Sequence, residues 1–273
     1  MIEIVKAIIF GIVEGITEWL PISSTGHLIL LNEFMKLNVS AKFWSMFEVV
    51  IQLGAILAVV VLFWKEIWPF SSHEKYFIKQ DKFLMWFKIL FACIPAAFIS
   101  LVWGDEIEIL FYNYIVIAVA LIVFGIGFIV IENRNRHLRP VMNSIAEITW
   151  KAAFLIGVFQ LIAAVFPGTS RSGATILGGI LIGVSRSVAA EFTFFLAIPV
   201  MLGASLIKIL KFGFSFTGME AAILLTGMIT AFIVSLFVIR FLMSYIKKHD
   251  FKVFGWYRII LGCLVLAYFT FLN

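Results

Sequence analysis

The sequence predicts an all-α polytopic membrane protein built as an inverted-topology repeat, in which each half is a re-entrant helical hairpin followed by three transmembrane helices. Composition gives the first support. Of the 273 residues, 63% are hydrophobic and 14% are charged, with a mean hydropathy of +1.08. Soluble domains average roughly 45–50% apolar and about 25% charged residues. The order of apolar segments and their recurrence along the chain give the rest.

The first repeat covers residues 1–131. Its hairpin, about 2–35, is predicted because Glu14 and Glu18 interrupt the first apolar run and Pro21 stops it, which leaves two arms too short to cross a bilayer. Three predicted spans follow, at about 43–64, 83–104 and 109–131, and an acidic turn at 105–108 separates the last two.

The second repeat covers residues 147–273 and follows an exposed basic loop at 132–146. Its predicted hairpin, about 147–184, is broken by a polar stretch that begins at Pro167. Three further spans are predicted at about 187–210, 219–245 and 253–272.

Direct comparison supports the repeat. A shift of 146 positions aligns four residues in order: Gly11 with Gly157, Glu14 with Gln160, Pro21 with Pro167, and Ser24 with Ser170. Because three spans per half is an odd number, two halves of the same fold have opposite orientations in the membrane, which is the inverted repeat known from secondary transporters.

The distribution of basic residues predicts the orientation. The loops 65–88, 132–151 and 240–252, together with Arg186, carry 14 of the 21 Lys and Arg residues. The positive-inside rule makes these loops cytoplasmic. The 105–108 turn and both termini then lie outside, and the tips of the two hairpins meet near the bilayer midplane. The net charge of +5 therefore reflects membrane topology, and no nucleic-acid partner is inferred.

Glu14 and Glu18 are the first candidate functional residues. They lie one helical turn apart, so the two carboxylates repel each other unless something positive joins them. A hard divalent cation such as Mg²⁺ or Ca²⁺, a shared proton, or an arginine partner (Arg171 or Arg258) would do so. The plain alternative is a pair of carboxylates solvated at a water-filled mouth.

The first hairpin tip adds Ser23, Ser24, Thr25 and His27. Its hydroxyls and free backbone N–H groups at a helix start suit an anion. Ser24 and His27 share a helical face, where an imidazole can exchange protons with a nucleophile or a leaving oxygen. The structural alternatives are a capping role for Ser23 and a satisfied, non-catalytic His27.

The second tip adds Ser170, Arg171, Ser172 and Thr175. A guanidinium among hydroxyls at a helix start has the composition of a phosphate-binding site. The alternative is that Arg171 merely neutralises one of the two glutamates.

These motifs give a resemblance over nearly the whole chain. The blocks are Glu14-Gly-Ile-Thr-Glu18 with Pro21-Ile-Ser-Ser-Thr-Gly-His27, Phe47-Glu-Val-Val-Ile-Gln-Leu-Gly54, Pro167-Gly-Thr-Ser-Arg-Ser-Gly-Ala-Thr175 and Ser185-Arg-Ser-Val-Ala-Ala-Glu-Phe192. The chain resembles the undecaprenyl-diphosphate phosphatases of bacterial membranes, also called bacitracin resistance proteins. The resemblance implies cation-dependent hydrolysis of the polyprenyl diphosphate lipid, at a site that faces the outer side of the cytoplasmic (inner) membrane. It also implies roles in peptidoglycan synthesis and bacitracin resistance.

The resemblance assigns catalytic or metal-binding roles to Glu14, Glu18, Ser24, His27 and Arg171. Our expectation is that the two glutamates hold Mg²⁺ or Ca²⁺, that Ser24 or a water attacks with His27 as acid and base, and that Arg171 stabilises the phosphoryl charge. A nucleophilic His27 stays open. So do a carrier-lipid flippase or transporter, a lipid-binding scaffold without activity, and a homodimer.

Overall fold

The computed structural model describes residues 1–71, 77–136 and 138–271. In these ranges, six helical segments are long and apolar enough to cross a membrane. They are Ala41–Leu62, Gln80–Phe111, Tyr114–Asn135, Arg186–Phe212, Gly218–Tyr245 and Lys252–Phe271. The sequence prediction of an all-α, multi-pass membrane protein is confirmed.

Four shorter helices form two hairpins. The first joins α1 (Ile2–Thr17) to α2 (Ser24–Phe34). The remaining first-half helices are α3 (Ala41–Val50), α4 (Gln52–Leu62), α5 (Trp64–Ile67), α6 (Gln80–Phe111) and α7 (Tyr114–Asn135). A 3₁₀ turn, Ile145–Glu147, then leads to the second hairpin of α8 (Trp150–Val165) and α9 (Arg171–Leu181). The chain ends with α10 (Arg186–Phe212), α11 (Gly218–Tyr245) and α12 (Lys252–Phe271).

The two hairpins have matching arms. Both α1 and α8 have 16 residues, and both α2 and α9 have 11. At 1.5 Å per residue these arms are about 24 and 17 Å long, shorter than a hydrocarbon core of about 30 Å. Their lengths therefore suit re-entrant arms that turn back inside the membrane.

The acidic segment 105–108 differs from its prediction, because it is helical rather than a turn. The helix α6 is kinked at Trp103 and continues to Phe111. The chain turns after it, where the Asn113 side chain caps α7 by accepting the Val116 N–H. Lysines of α10 offset the acidic charges, since Lys211 lies 2.8 Å from Asp105 and Lys208 lies 3.4 Å from Glu108.

The helix α7 illustrates how a span divides its faces. Its buried residues recur at intervals of three and four: Ala118, Leu121, Gly125, Phe128 and Glu132. The exposed residues form a second stripe: Val119, Val123, Ile126 and Val130. The buried stripe packs against α12, and the exposed apolar stripe is the one expected to contact lipid.

The helix pairing crosses between the halves. The first arm α1 packs on α11, whereas α8 packs on α6. A Cβ at Gly11 would lie 2.6 Å from the Gly227 carbonyl oxygen, and one at Gly157 would lie 2.3 Å from that of Ala92. The aligned glycines thus permit equivalent close crossings, as a repeat requires. The inverted orientation of the halves stays a prediction.

Candidate active site

The two hairpin turns share an unusual backbone geometry. Ser23 and Ser170 both have positive φ values, 76° and 68°. Each side chain caps the following helix, because Ser23 Oγ accepts the Gly26 N–H at 3.3 Å and Ser170 Oγ accepts the Gly173 N–H at 3.1 Å. The caps satisfy helix-start donors that would otherwise be unpaired in the protein interior.

A cluster of three side chains joins the turns. The buried Glu18 carboxylate accepts a hydrogen bond from Ser24 Oγ at 2.6 Å on one oxygen and from the Arg171 guanidinium at 2.8 Å on the other. Arg171 also donates to the Thr193 carbonyl of α10 at 3.2 Å. The predicted meeting of the two tips is therefore observed among these residues.

The cluster lines a cavity of about 170 Å³. Predicted site residues on its wall are Glu18, Ser23, Ser24, Thr25, Ser170 and Arg171, and the sequence analysis missed Gln52 and Tyr112. Because carboxylate, guanidinium, hydroxyl and amide groups line this small space, it suits a small polar group rather than a long apolar chain. Gln52 begins α4, directly after the break between α3 and α4. Its amide is a lone polar group in a predicted span, and this feature of the sequence could have identified it.

His27 lies outside the lining of this cavity. Its Nδ1 donates to the Ser23 carbonyl at 2.7 Å, and its Nε2 is 2.7 Å from the Tyr257 hydroxyl of α12. Both ring nitrogens are therefore engaged, and the contacts hold the turn that carries Ser24. This geometry favours the structural alternative for His27, and Tyr257 is a partner that the sequence analysis missed.

Ser172 and Thr175 also lie outside the cavity lining. Ser172 Oγ donates to the Glu18 carbonyl at 3.0 Å, and Thr175 Oγ1 donates to the Arg171 carbonyl at 2.9 Å while accepting from Thr193 Oγ1 at 2.8 Å. These bonds fix the second turn against α1 and α10. Their geometry is that of supporting residues, without direct access to a phosphate in the cavity.

Glu14 is fully buried, and neither carboxylate oxygen has a hydrogen-bond partner among the described residues. A buried, unpartnered carboxylate needs a proton or a cation. Among the residues that the structure describes, no group of three or more His, Cys, Asp and Glu side chains is placed to hold a metal ion. Mg²⁺ is commonly held by one or two carboxylates together with substrate phosphate oxygens. Glu14 does not line the cavity, but its unpartnered carboxylate, one helical turn from Glu18, has the chemistry to hold a cation beside the cluster.

Arg258, on α12, holds the backbones of the two turns together. Its fully buried guanidinium donates to the carbonyls of Pro21, Gly168 and Thr169 at 3.2, 2.9 and 2.6 Å. It therefore does not serve as the arginine partner of the glutamates.

A family model described as "Bacitracin resistance protein BacA" matches residues 7–264. The chain belongs to this family. A relative from Desulfitobacterium hafniense named undecaprenyl-diphosphatase is 66% identical over 270 residues, which cover 99% of this chain and 97% of the relative. A relative from Clostridium acetobutylicum named undecaprenyl-diphosphatase 1 is 63% identical, and the match covers 98% of this chain and 98% of the relative. A relative from Enterococcus faecalis named undecaprenyl-diphosphatase is 60% identical, and the match covers 97% of this chain and 96% of the relative.

In this member of the BacA family, the turns align one residue differently from the sequence comparison. The shift of 146 paired Ser24 with Ser170, but the capping residue with positive φ is Ser23 in one turn and Ser170 in the other. By backbone geometry, Ser24 therefore corresponds to Arg171, the first residue of each return helix. The one-residue difference lies in the turn itself, after the prolines that the shift does align.

Proposed function

We propose that this protein hydrolyses undecaprenyl diphosphate to undecaprenyl phosphate and inorganic phosphate, which recycles the carrier lipid of cell-wall synthesis and confers resistance to bacitracin. The names of its relatives support the substrate. The observation that carries the proposal is the cluster of Ser24, Glu18 and Arg171 on one small polar cavity.

Ser24 is the nucleophile in the proposed reaction. Its hydroxyl already donates to Glu18 Oε2 at 2.6 Å, so Glu18 takes the proton as Ser24 Oγ attacks the terminal phosphorus. The bond from phosphorus to the bridging oxygen breaks, and undecaprenyl phosphate leaves. Arg171, held by the other Glu18 oxygen, lies on the cavity wall where it stabilises the charge on the transferred phosphoryl group.

The leaving group explains why His27 need not act as an acid. The departing oxygen belongs to a phosphate whose second pKa is about 6, so it leaves without a proton from the protein. Glu18 then loses its proton to solvent and accepts one from the water that attacks the phosphoserine. The bond from phosphorus to Ser24 Oγ breaks, inorganic phosphate leaves, and Glu18 returns the proton to Ser24 Oγ. His27 positions the Ser24 turn through the Ser23 carbonyl.

A divalent cation is part of the proposal. When bound by Glu14 and Glu18, Mg²⁺ or Ca²⁺ would supply positive charge to the diphosphate oxygens. The unpartnered oxygens of Glu14 support this assignment. Glu14→Gln should raise the cation concentration needed for half-maximal activity, whereas a role as a proton carrier leaves that requirement unchanged.

The proposed location is the bacterial cytoplasmic membrane, with the active site open to the outer, periplasmic side. The excess of basic residues in three loops supports this orientation. Labelling of single cysteines introduced at 105–108 and in the 132–146 loop with an impermeant reagent in intact cells tests it. Reaction at the acidic segment alone is expected.

A homodimer is tested by the mass of the protein in detergent.

The experiment that tests the function uses purified protein in neutral detergent with a prenyl diphosphate and Mg²⁺. Micelles have no two sides, so a transporter or a lipid-binding scaffold releases no phosphate. Phosphate release that is lost with EDTA and in Ser24→Ala is expected. Binding of the lipid without phosphate release by folded protein contradicts the enzyme and favours the flippase or the scaffold.

A further inference from the structure

A second cavity, of about 650 Å³, lies where α7, α9 and α11 end and α10 begins. It shares no lining residue with the catalytic cavity. Its walls come from residues 135–136, 138–141, 180–187 and 246–247. This is the end of the bundle that carries the basic loops.

Backbone hydrogen bonds hold the cavity in shape. The N–H groups of Val141 and Met142 both donate to the Gly183 carbonyl, at 2.9 and 3.1 Å, and Ser185 N–H donates to the Met142 carbonyl at 2.9 Å. The Asn135 amide donates to the Ile180 carbonyl at 2.8 Å. The loop after α7 is thereby fixed to the connection between α9 and α10, so the cavity exists before any ligand arrives.

The charge of the cavity is positive. Arg136, Arg139, Arg186 and Lys247 line it, and none of its described lining residues is acidic. Arg186 is neutralised by the buried Glu132, with which it forms an ion pair. The other three form no ion pair within the described part of the chain, since the nearby Asp250 is bound to Lys252. The hydroxyl-bearing Ser185 and Ser187 add donors. Three uncompensated cations with hydroxyls in one concavity suit a phosphate group.

The apolar part of the wall indicates where that phosphate comes from. Leu138, Val141 and Leu181 are 63%, 73% and 37% exposed and line the same cavity as the cations. A free phosphate ion gains nothing from contact with apolar side chains. A phospholipid places its phosphate at the level of the cations and its acyl chains beside the apolar wall. We propose that this cavity binds the head group of an anionic glycerophospholipid from the leaflet on its own side.

The test is lipid binding by the full chain, delipidated in a neutral detergent and titrated with phosphatidylglycerol under native mass spectrometry. The triple variant Arg136→Gln/Arg139→Gln/Lys247→Gln removes the uncompensated cations. The control Arg134→Gln/Lys151→Gln/Lys248→Gln removes three charges from the same basic regions but outside the cavity. We expect the affinity for the first bound lipid to fall by about tenfold or more in the triple variant. In the control variant it should fall by less than about threefold, the size of a general charge effect.

Two further arms decide the occupant. Phosphatidylcholine should bind at least about tenfold more weakly, because its head group has no net charge. Millimolar inorganic phosphate should leave the lipid bound. Equal losses in both triple variants, equal binding of phosphatidylcholine, or displacement by inorganic phosphate each overturn the proposal. Because these side chains are exposed or unpaired, the variants should fold. Should the triple variant unfold, the single variants Arg139→Gln and Lys247→Gln give the same reading, at a few-fold each.

Discussion

The two hairpin turns have the same backbone geometry and different chemistry. Each turn caps an 11-residue helix with a serine at positive φ. The next residue is Ser24 in the first turn and Arg171 in the second, and both bind the same carboxylate, Glu18. The fold thus supplies two equivalent helix starts beside one cavity. In the proposed mechanism, the side chain at the first position of each helix decides which turn provides the nucleophile and which binds the phosphate.

The helices that precede the two turns, α1 and α8, also differ in chemistry. In the sequence alignment, Gln160 and Ala164 of α8 occupy the places of Glu14 and Glu18 of α1. Gln160 is buried with no hydrogen-bond partner for its amide among the described residues, and Ala164 lines the cavity. At these aligned positions, the first half carries the two carboxylates that the proposed chemistry uses, and the second half carries none.

Ser24→Ala removes the proposed nucleophile and should lower the rate of phosphate release by about a thousandfold or more. Ser170→Gly, in the other turn, keeps the backbone geometry and should lower it by less than about tenfold. Phosphate release in detergent, measured on protein with an unchanged Tm, checks both. Similar rate losses in the two variants would show that the turns are not chemically distinct.

Arg171→Lys keeps the positive charge but loses the planar fork that contacts Glu18 and the Thr193 carbonyl together. We expect kcat to fall by about a hundredfold, because Lys cannot reproduce the bidentate geometry at the phosphoryl group. The double variant with Glu18→Gln should lose less than the product of the two single losses. Full additivity would mean that the two residues act separately.

His27 and Tyr257 test the supporting contacts of the first turn. His27→Ala should reduce kcat by about tenfold to a hundredfold, since the Ser23 carbonyl loses the imidazole donor, keeping only the backbone N–H of residue 27, and Ser24 is held less firmly. Tyr257→Phe removes only the outer hydrogen bond and should cost a few-fold. The pH profile of kcat in both variants should keep the shape of the unmodified protein. A lost pH limb in His27→Ala would instead identify His27 as the acid or base.

The capping serines should give the smallest and most similar effects. Ser23→Gly and Ser170→Gly each lose one side-chain cap, but glycine suits the positive φ at both positions. Each change should therefore cost only a few tenths of a kcal/mol in stability, which thermal unfolding in detergent reports as a small Tm shift. A large destabilisation in only one variant would contradict the equivalence of the two turns.

Much of this arrangement was predictable from sequence because the signals are strong. Apolar runs locate the spans, and charges inside them mark Glu14, Glu18 and Arg171 as residues that need partners. The prediction of a turn at 105–108 was wrong because α6 continues past a kink at Trp103 to Phe111. The lysines of α10 that offset Asp105 and Glu108 are tertiary contacts that a local reading of charge does not reveal.

Other features depended on three-dimensional packing. The spacing of Ser24 and His27 does not reveal that the Ser24 hydroxyl donates to Glu18, nor that His27 forms a hydrogen bond with Tyr257 on α12. The lone Arg258 in a span signalled a buried partner, but only the fold identifies that partner as three carbonyls of the two turns. Sequence thus locates the reactive groups, and packing decides which of them meet.

In the proposed mechanism, Ser24, activated by Glu18 and assisted by Arg171, forms a covalent bond to the transferred phosphoryl group. The stereochemical course at the terminal phosphorus tests this step, with a prenyl diphosphate whose terminal phosphorus carries one sulfur and two oxygen isotopes and with water that supplies the third oxygen isotope. Two successive displacements, on Ser24 and then by water, predict net retention in the released thiophosphate. Net inversion would require direct attack by water and would contradict the account.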